Sequence, residues 1–580
     1  MTEAAGQTDP ITTEIIRNLF ISCAQDMNAT MIRSAYTPII YEGKDCSVAL
    51  LDENGEVLGQ SSGLPIFLGN LEVCVKLAIE EFGREIFEPG DVFYMNDPYM
   101  QGTHLNDATI FSPIFYDEEL VGFSATRAHW LDVGAKDPGT PMDSTEIYQE
   151  GFRWAPTKIY SRYEQREDVV DLLRRNGRFG YSLVGDMNSQ VSACFTGEER
   201  FKSIVDRFGM DAIRAAREEI FRQSAQLDRE AVAALPDGTY TAEGCLDNDG
   251  VGDEPVWVRV RVDVSGDEMT IDFEDTSEAA SGPVNCGEAQ TISAARVAYK
   301  LLINPDRPVD GGTFPTLTVR VPEGSILHAK EPSPCGWYFT PLGLLIDLIV
   351  KALSTVMPEE VAGAHYGDSM VIYLAGVDPR TSAPFLALEP TPGGWGAYEG
   401  GDGQDGLINN VNGGFKDLPV EVYETKYPVR IGQYGFRPDS GGLGRFRGGC
   451  GLFREYRLGA DCSLYLWFER SKTPAWGLFG GHDARWPEVV VRADGSEKSL
   501  LKVNNLPCEA GTVVTTYTGG GGGYGNPWER DPELVRRDVV AGYVTREGAE
   551  RDYGVVFGDG LEIDAEATAR HREEMEKASS

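Results

Sequence analysis

In the stretch "GTHLND" a histidine, His104, stands three residues before an aspartate, Asp107. Gly102 lets the chain turn just ahead of them, so an imidazole and a carboxylate can converge on one point. A third donor has to come from elsewhere, and His129 in "SATRAHWLDVG" is the best candidate. It lies on the next strand, past an acidic turn, and adjacent antiparallel strands bring such residues within a few ångströms. Two imidazoles and a carboxylate suit a divalent transition metal (zinc, manganese or iron) with positions left open for water or substrate. The same residues also suit a hydrogen-bonded turn without an ion, and spacing alone leaves both readings open. Asp45 in "YEGKDCSVALL" is either a fourth ligand or a cap at the start of a strand. Asp132 is near enough in sequence to orient an imidazole from behind. The chain has six histidines, and His328, His365, His482 and His571 have no carboxylate at ligand spacing. Glu146 and Glu150 are candidate acids or bases that spacing does not single out.

Other chemistries find less support. The pentaglycine in "YTGGGGGYGNP" could expose N–H groups to an anion. It lacks the Gly-Lys-Ser/Thr ending of a phosphate loop and does not run into a helix. "RPDSGGLGRFRGGCG" has no strand–helix context for a dinucleotide. Both read as tight-packing loops, so no segment is expected to bind ATP alone. No cysteine neighbours a histidine, which argues against a thiol nucleophile.

The elements that must position these residues follow from periodicity. Residues 10–35 space apolar side chains at helical intervals, with Thr12 or Thr13 as the expected cap and Thr37-Pro38 as the stop. "DCSVALLDENGEVLGQSS" reads as a hairpin about Asn54-Gly55. "LGNLEVCVKLAIEEFG" is helical and ends at glycine. "GDVFYMNDPY" and "ATIFSPIFYDEELVGFSATRAHW" read as strands, and residues 160–233 as helix rich in charge pairs. Beyond Pro236 alternating strands appear, with helices at "AARVAYKLLI" and "LGLLIDLIVKALSTVM". The expected fold is α+β and multi-domain, with mixed helices and large, mostly antiparallel sheets. Four regions are expected: an N-terminal metal-bearing domain over 1–235, a mixed domain over 236–385, a Gly-rich β domain over 386–528, and a helical tail over 529–580.

Bulk properties narrow the partners. At 580 residues the chain is too long for one core. A formal charge of −39 argues against binding nucleic-acid phosphates or anionic lipid. Ten scattered cysteines without C-x-x-C pairs suggest reduced thiols. The N-terminus has no signal-peptide pattern and "PLGLLIDLIV" carries Asp347, so a cytoplasmic, non-membrane protein is expected.

Several islands, in order, carry a resemblance: "GKDCSVALLDENGEVL", "PGDVFYMNDPYMQGTHLNDATIFSPIF", "RAHWLDVGAKDPGTPMDSTEIYQEGFR", "GDMNSQVSACFTGEERF", "VEVYETKYPVRIGQYGFRPDSGGLGRFRGGCG", "KTPAWGLFGG" and "REGAERDYGVV". Over nearly its whole length the chain resembles the hydantoinase B family, partner subunits of ATP-dependent cyclic-amide hydrolases. The same family supplies the large subunits of acetone and acetophenone carboxylases. The resemblance implies a divalent metal on His104, Asp107 and His129, with Asp45 as a neighbour in the family's Lys-Asp-x-Ser element. It implies that ATP with Mg binds a separate hydantoinase A-type subunit with a kinase-like fold, in an (αβ)2 heterotetramer or larger. The activity it implies is hydrolysis of a hydantoin, lactam or oxoproline-like ring. The alternatives are a subunit of a ketone carboxylase that uses bicarbonate, and a non-catalytic scaffold for the ATP-binding partner. Many relatives have a second histidine where this chain has Trp130.

Overall fold

The computed structural model describes residues 9–579. Its contacts group into two compact units, each discontinuous in sequence. The first runs to Thr241 and takes in Arg259–Ile346 and Val411–Leu418; the second comprises Ala242–Val258, Asp347–Asn410 and the chain from Pro419 onward.

A seven-stranded sheet dominates the first unit. Its strands are β1 (Cys46–Asp52), β2 (Val57–Gln60), β3 (Val92–Met95), β4 (Asp107–Tyr116), β5 (Glu119–His129), β6 (Thr157–Ser161) and β7 (Glu164–Gln165), in the order β2-β1-β5-β4-β3-β6-β7. Every neighbouring pair is antiparallel. The β1–β2 turn forms where Asn-Gly predicts it: Gly55 has φ +81°, and Asp52 Oδ1 accepts the Asn54 and Glu56 amides at 2.8 Å each. The β4–β5 turn places Asp117 and Glu118 at φ +46° and +68°, the twist that suits a tight hairpin.

Both faces of this sheet are covered, which is why β1 reads as one apolar run. On one face Ala49, Leu51, Phe93, Phe111 and Phe123 pack with Leu71, Cys74, Val75 and Ala78 of helix Leu71–Phe82. On the other, Val92, Tyr94, Ala108 and Ile110 pack with Leu183, Met187, Val191 and Cys194 of helix Gly180–Phe208. The N-terminal helix spans Pro10–Ser34, and its cap is Asp9 rather than Thr12 or Thr13. Pro10 fills the first helical position, where no N–H is needed. Asp9 Oδ1 accepts the Ile11 and Thr12 amides, while the Thr12 hydroxyl itself donates to Asp9 Oδ2.

Beyond Pro236 the texture changes as expected. Strands β8 (Gly238–Leu246), β9 (Val256–Ser265), β10 (Glu268–Asp272) and β11 (Leu317–Arg320) form a sheet in the order β11-β10-β9-β8. β9 alternates buried valines with less buried residues that are polar except for Trp257.

The second unit holds a four-stranded and a five-stranded sheet, the four-stranded one built from Pro384–Pro390, Val371–Val377, Cys462–Trp467 and Lys502–Cys508. Between them its glycine loops stack backbone on backbone. A Cβ added at Gly521 would sit 2.0 Å from the Trp395 carbonyl, and one at Gly522 would sit 1.9 Å from the Trp476 oxygen. The N–H groups of Gly520, Gly521, Gly522 and Gly523 donate to the carbonyls of Arg485, Gly449, Ala364 and His482. The pentaglycine, residues 519–523, is therefore a packing element, with four of its five amides already committed. All ten cysteines are free and buried. Three helices, Pro532–Ala541, Arg546–Tyr553 and Ala565–Ser579, close the chain. Among the described residues no helix is long and apolar enough to cross a membrane.

Candidate metal centre

Strand register brings the predicted donors together. Asp107 is the first residue of β4 and His129 the last of β5, and they are direct cross-strand partners. His104 lies in the turn before β4, after the short helix Pro98–Gln101, which Asp97 caps through the Tyr99 amide. Gly102 ends that helix at φ +90°, and a Cβ there would meet the Gln290 backbone nitrogen at 2.4 Å. Asp45 directly precedes β1, the other neighbour of β5, and its carbonyl accepts the His129 amide at 3.1 Å.

The three ligand-capable atoms form a tight triangle. His104 Nε2 is 2.9 Å from Asp107 Oδ1 and 3.1 Å from His129 Nδ1, and the last two are 3.3 Å apart. All three residues are buried. His104 Nδ1 lies 2.9 Å from the Gly336 carbonyl, which can only accept, so Nδ1 carries the proton and Nε2 faces the triangle. Lone pairs pointed at one another this closely repel unless a proton or a cation sits among them. Bonds of about 2.0–2.2 Å to a four-coordinate ion would place donor atoms roughly 3.3 Å apart, so the donor set fits zinc-like coordination.

The electrostatics agree. Burial works against charge on His104, but the Asp107 carboxylate, the Gly336 carbonyl and Asp45 outweigh it and raise its pKa. Burial lowers His129 instead, with His104 adding to the effect. Asp107 is buried, which opposes ionisation, yet the two imidazoles hold its carboxyl well below the usual range.

Around the triangle lies a layer that spacing could not show. The Tyr338 hydroxyl donates to Asp107 Oδ2 at 2.8 Å, and Gln101 Nε2 donates to the Asp107 carbonyl at 2.8 Å. Glu150 accepts the Cys335 amide at 3.0 Å, and on its other oxygen the Gly336 amide at 2.9 Å and the Ser144 hydroxyl at 2.6 Å. Burial pushes its carboxyl up to about 7. Glu150 thus clamps the segment whose carbonyl orients His104. A side chain at Gly336 would crowd this clamp: an added Cβ would lie 2.8 Å from Thr140 Cγ2 and 3.0 Å from Glu150 Oε1.

Asp132 does not orient an imidazole. One oxygen accepts the Gly134 and Arg178 amides, the other the Gly139 amide and the Arg178 guanidinium. Beyond the end of β5 the chain folds around this carboxylate, which organises a loop, and the orienting role falls to the Gly336 carbonyl. Asp45 lies beside the triangle but outside the three-residue group whose donor atoms fall within 4.8 Å of one another. Burial and the nearby Asp107 charge push its carboxyl well above the usual range, His104 opposing them, and its Oδ1 has no partner. His129 Nε2 is likewise buried without one. Trp130 is core: it stacks on Tyr94 at 5.1 Å and donates to Gln190 Oε1 at 2.9 Å.

Comparison with known proteins places the chain in a family. A family model described as hydantoinase B/oxoprolinase matches residues 9–527. The caprolactamase subunit beta of Pseudomonas jessenii is 31% identical over 577 residues, spanning 97% of this chain and 99% of that one. The crystal structure of ATP-dependent caprolactamase from Pseudomonas jessenii superposes with a TM-score of 0.90 at 30% identity, over 98% of this chain and 100% of that chain. Nucleotide-free acetone carboxylase shares the fold, with a TM-score of 0.91 at 20% identity over 98% of this chain and 83% of the other.

Proposed function

Since the chain belongs to the hydantoinase B/oxoprolinase family, we propose that it is the metal-bearing subunit of an ATP-dependent hydrolase of cyclic amides. The observation that carries this reading is the buried triangle of His104 Nε2, His129 Nδ1 and Asp107 Oδ1, whose atoms lie 2.9–3.3 Å apart. These residues would hold a divalent zinc, manganese or iron ion, with Asp45 as an adjacent carboxyl. When bound, such an ion supplies a Lewis acid and brings the pKa of a bound water towards about 7.

The chain's own residues prepare the site. The Gly336 carbonyl holds the proton on His104 Nδ1 and so keeps Nε2 free to bind. Tyr338 engages Asp107 Oδ2, leaving Oδ1 to face the imidazoles. Burial of all three donors excludes bulk water and strengthens their effect on charge that develops on the substrate oxygen.

Ring opening of a lactam or hydantoin is uphill and needs activation. With four of the five pentaglycine amides committed to carbonyls, ATP is assigned to a partner of the hydantoinase A type, in an (αβ)2 assembly or larger. That subunit would phosphorylate a substrate oxygen, and the activated ring would react at this chain's triangle.

The test is elemental analysis and turnover of the co-purified complex, wild type beside His129→Ala. About one equivalent of metal per chain in the wild type and none in the variant is expected. ATP-dependent opening of lactams, hydantoins or 5-oxoproline should be lost with it. Metal-free wild type that still turns over would sink the proposal. Turnover of ketones with bicarbonate, and not of cyclic amides, would move the chain to the carboxylase reading.

A further inference from the structure

The second unit contains another buried histidine–carboxylate pair, and it shares no residue with the triangle. Asp347, in helix Phe339–Leu353, accepts from His365 Nδ1 at 2.8 Å on one oxygen and from Arg470 Nη2 at 3.3 Å on the other. The Asn410 amide nitrogen lies 3.4 Å from both Asp347 Oδ1 and His365 Nδ1. Four polar atoms of this group are buried without a partner: His365 Nε2, Arg470 Nε, Arg470 Nη1 and Asn410 Oδ1. Orphans of this kind are rare in native proteins, because each forfeits its hydrogen bond to water with nothing in return.

Arg470 is held in place at some conformational cost. It is a non-glycine residue at φ +75°, a strained conformation that concentrates at functional sites. Its guanidinium lies where a side chain at position 367 would be, 2.6 Å from the Cβ that Gly367 lacks. The guanidinium also sits 5.0 Å from the Trp476 ring, and Lys351 Nζ sits 4.4 Å from the same ring. Two cations therefore gather around one indole, in a chain whose formal charge is −39.

We propose that Asp347, His365, Asn410 and Arg470 form a binding site for a small oxyanion that keeps a hydroxyl group, such as hydrogen phosphate or bicarbonate. Arg470 Nε and Nη1 offer hydrogen bonds to anionic oxygens. Asp347 holds the proton on His365 Nδ1, so Nε2 is an acceptor, as is Asn410 Oδ1. Together they match a ligand that accepts on one side and donates a hydroxyl proton on the other. Asp347 and Asn410 are the more exposed members of the group, at 7% and 6%.

Titration of the full-length protein by calorimetry, with inorganic phosphate, bicarbonate and sulfate in turn, tests this. Sulfate matches phosphate in shape but carries no proton at neutral pH. A saturable site for phosphate or bicarbonate with Kd about 1 mM or tighter is expected, at least about tenfold weaker for sulfate. Arg470→Gln should weaken binding at least about tenfold, while His129→Ala leaves it intact. His365→Phe, which deletes the acceptor, should erase the preference over sulfate, and it serves if Arg470→Gln does not fold. Equal affinity for sulfate, no saturable binding, or binding lost in His129→Ala and kept in Arg470→Gln would overturn the proposal.

Discussion

The two buried histidine–aspartate centres use the same residue types and differ in what neutralises them. At the triangle, two imidazoles and a carboxylate face one another with no arginine or lysine bound to Asp107 among its described bonds. At Asp347 a guanidinium is built in, and the carboxylate divides its oxygens between Arg470 and His365. The first centre has no built-in cation among its described bonds, whereas the second contains Arg470. Donor identity alone thus does not distinguish a metal site from an internally paired cluster; the inventory of nearby cations does.

Removing the carboxylate from each centre should therefore give opposite results. Asp347→Ala leaves the Arg470 guanidinium buried and unpaired, which costs about 3 kcal/mol or more in stability. Metal content, which the proposed function places at the other centre, should not change. Chemical denaturation alongside elemental analysis of the variant checks both halves. An unchanged denaturation midpoint would show that Arg470 finds another partner and that the contrast drawn here is wrong.

A smaller effect is expected from the layer behind the triangle. Tyr338→Phe removes one hydrogen bond to Asp107 and keeps the ring that packs 5.1 Å from His104. Metal affinity, measured by competition with a chelator, should fall about tenfold with the fold intact. Unaltered affinity would mean that Asp107 is held by the strand register alone.

Much of the first centre was legible because it is local to a sheet. A turn-forming glycine, an alternating run and an acidic hairpin turn are enough to place Asp107 and His129 at the ends of adjacent strands, with His104 in the turn before the first. The hairpin at Asn54-Gly55 and the helix ending at Gly83 were legible for the same reason. The Gly336 carbonyl and Tyr338 were not, since they reach the site from more than two hundred positions away and leave no periodic trace. His365 looked unpartnered because its carboxylate, Asp347, lies in a helix eighteen residues earlier. The error over Asp132 has a different origin: proximity in sequence to His129 suggested a shared site, but the chain turns between them. Glycine loops showed their density in composition, but only the structure shows that their amides face carbonyls.

Glu150 provides the finest test, because it is a buried carboxyl with neither a bound metal nor a bound cation among its described bonds. Its pKa is pushed up to about 7 by burial, against an ordinary value of 4.5. A raised folded-state pKa means that between these values the folded protein binds more protons than the unfolded one. Stability from Glu150 is then complete below about pH 4.5 and is lost as pH rises through about 7, with a slope of at most about 1.4 kcal/mol per pH unit. Glu150→Gln imitates the protonated form and should remove this slope. In chelator-treated protein the variant should therefore gain on the wild type in urea midpoint between pH 5 and pH 8. Parallel profiles for Glu150→Gln and wild type would mean that Glu150 stays ionised on its hydrogen bonds to Ser144, Cys335 and Gly336, and that backbone amides can stabilise a buried carboxylate where no cation does.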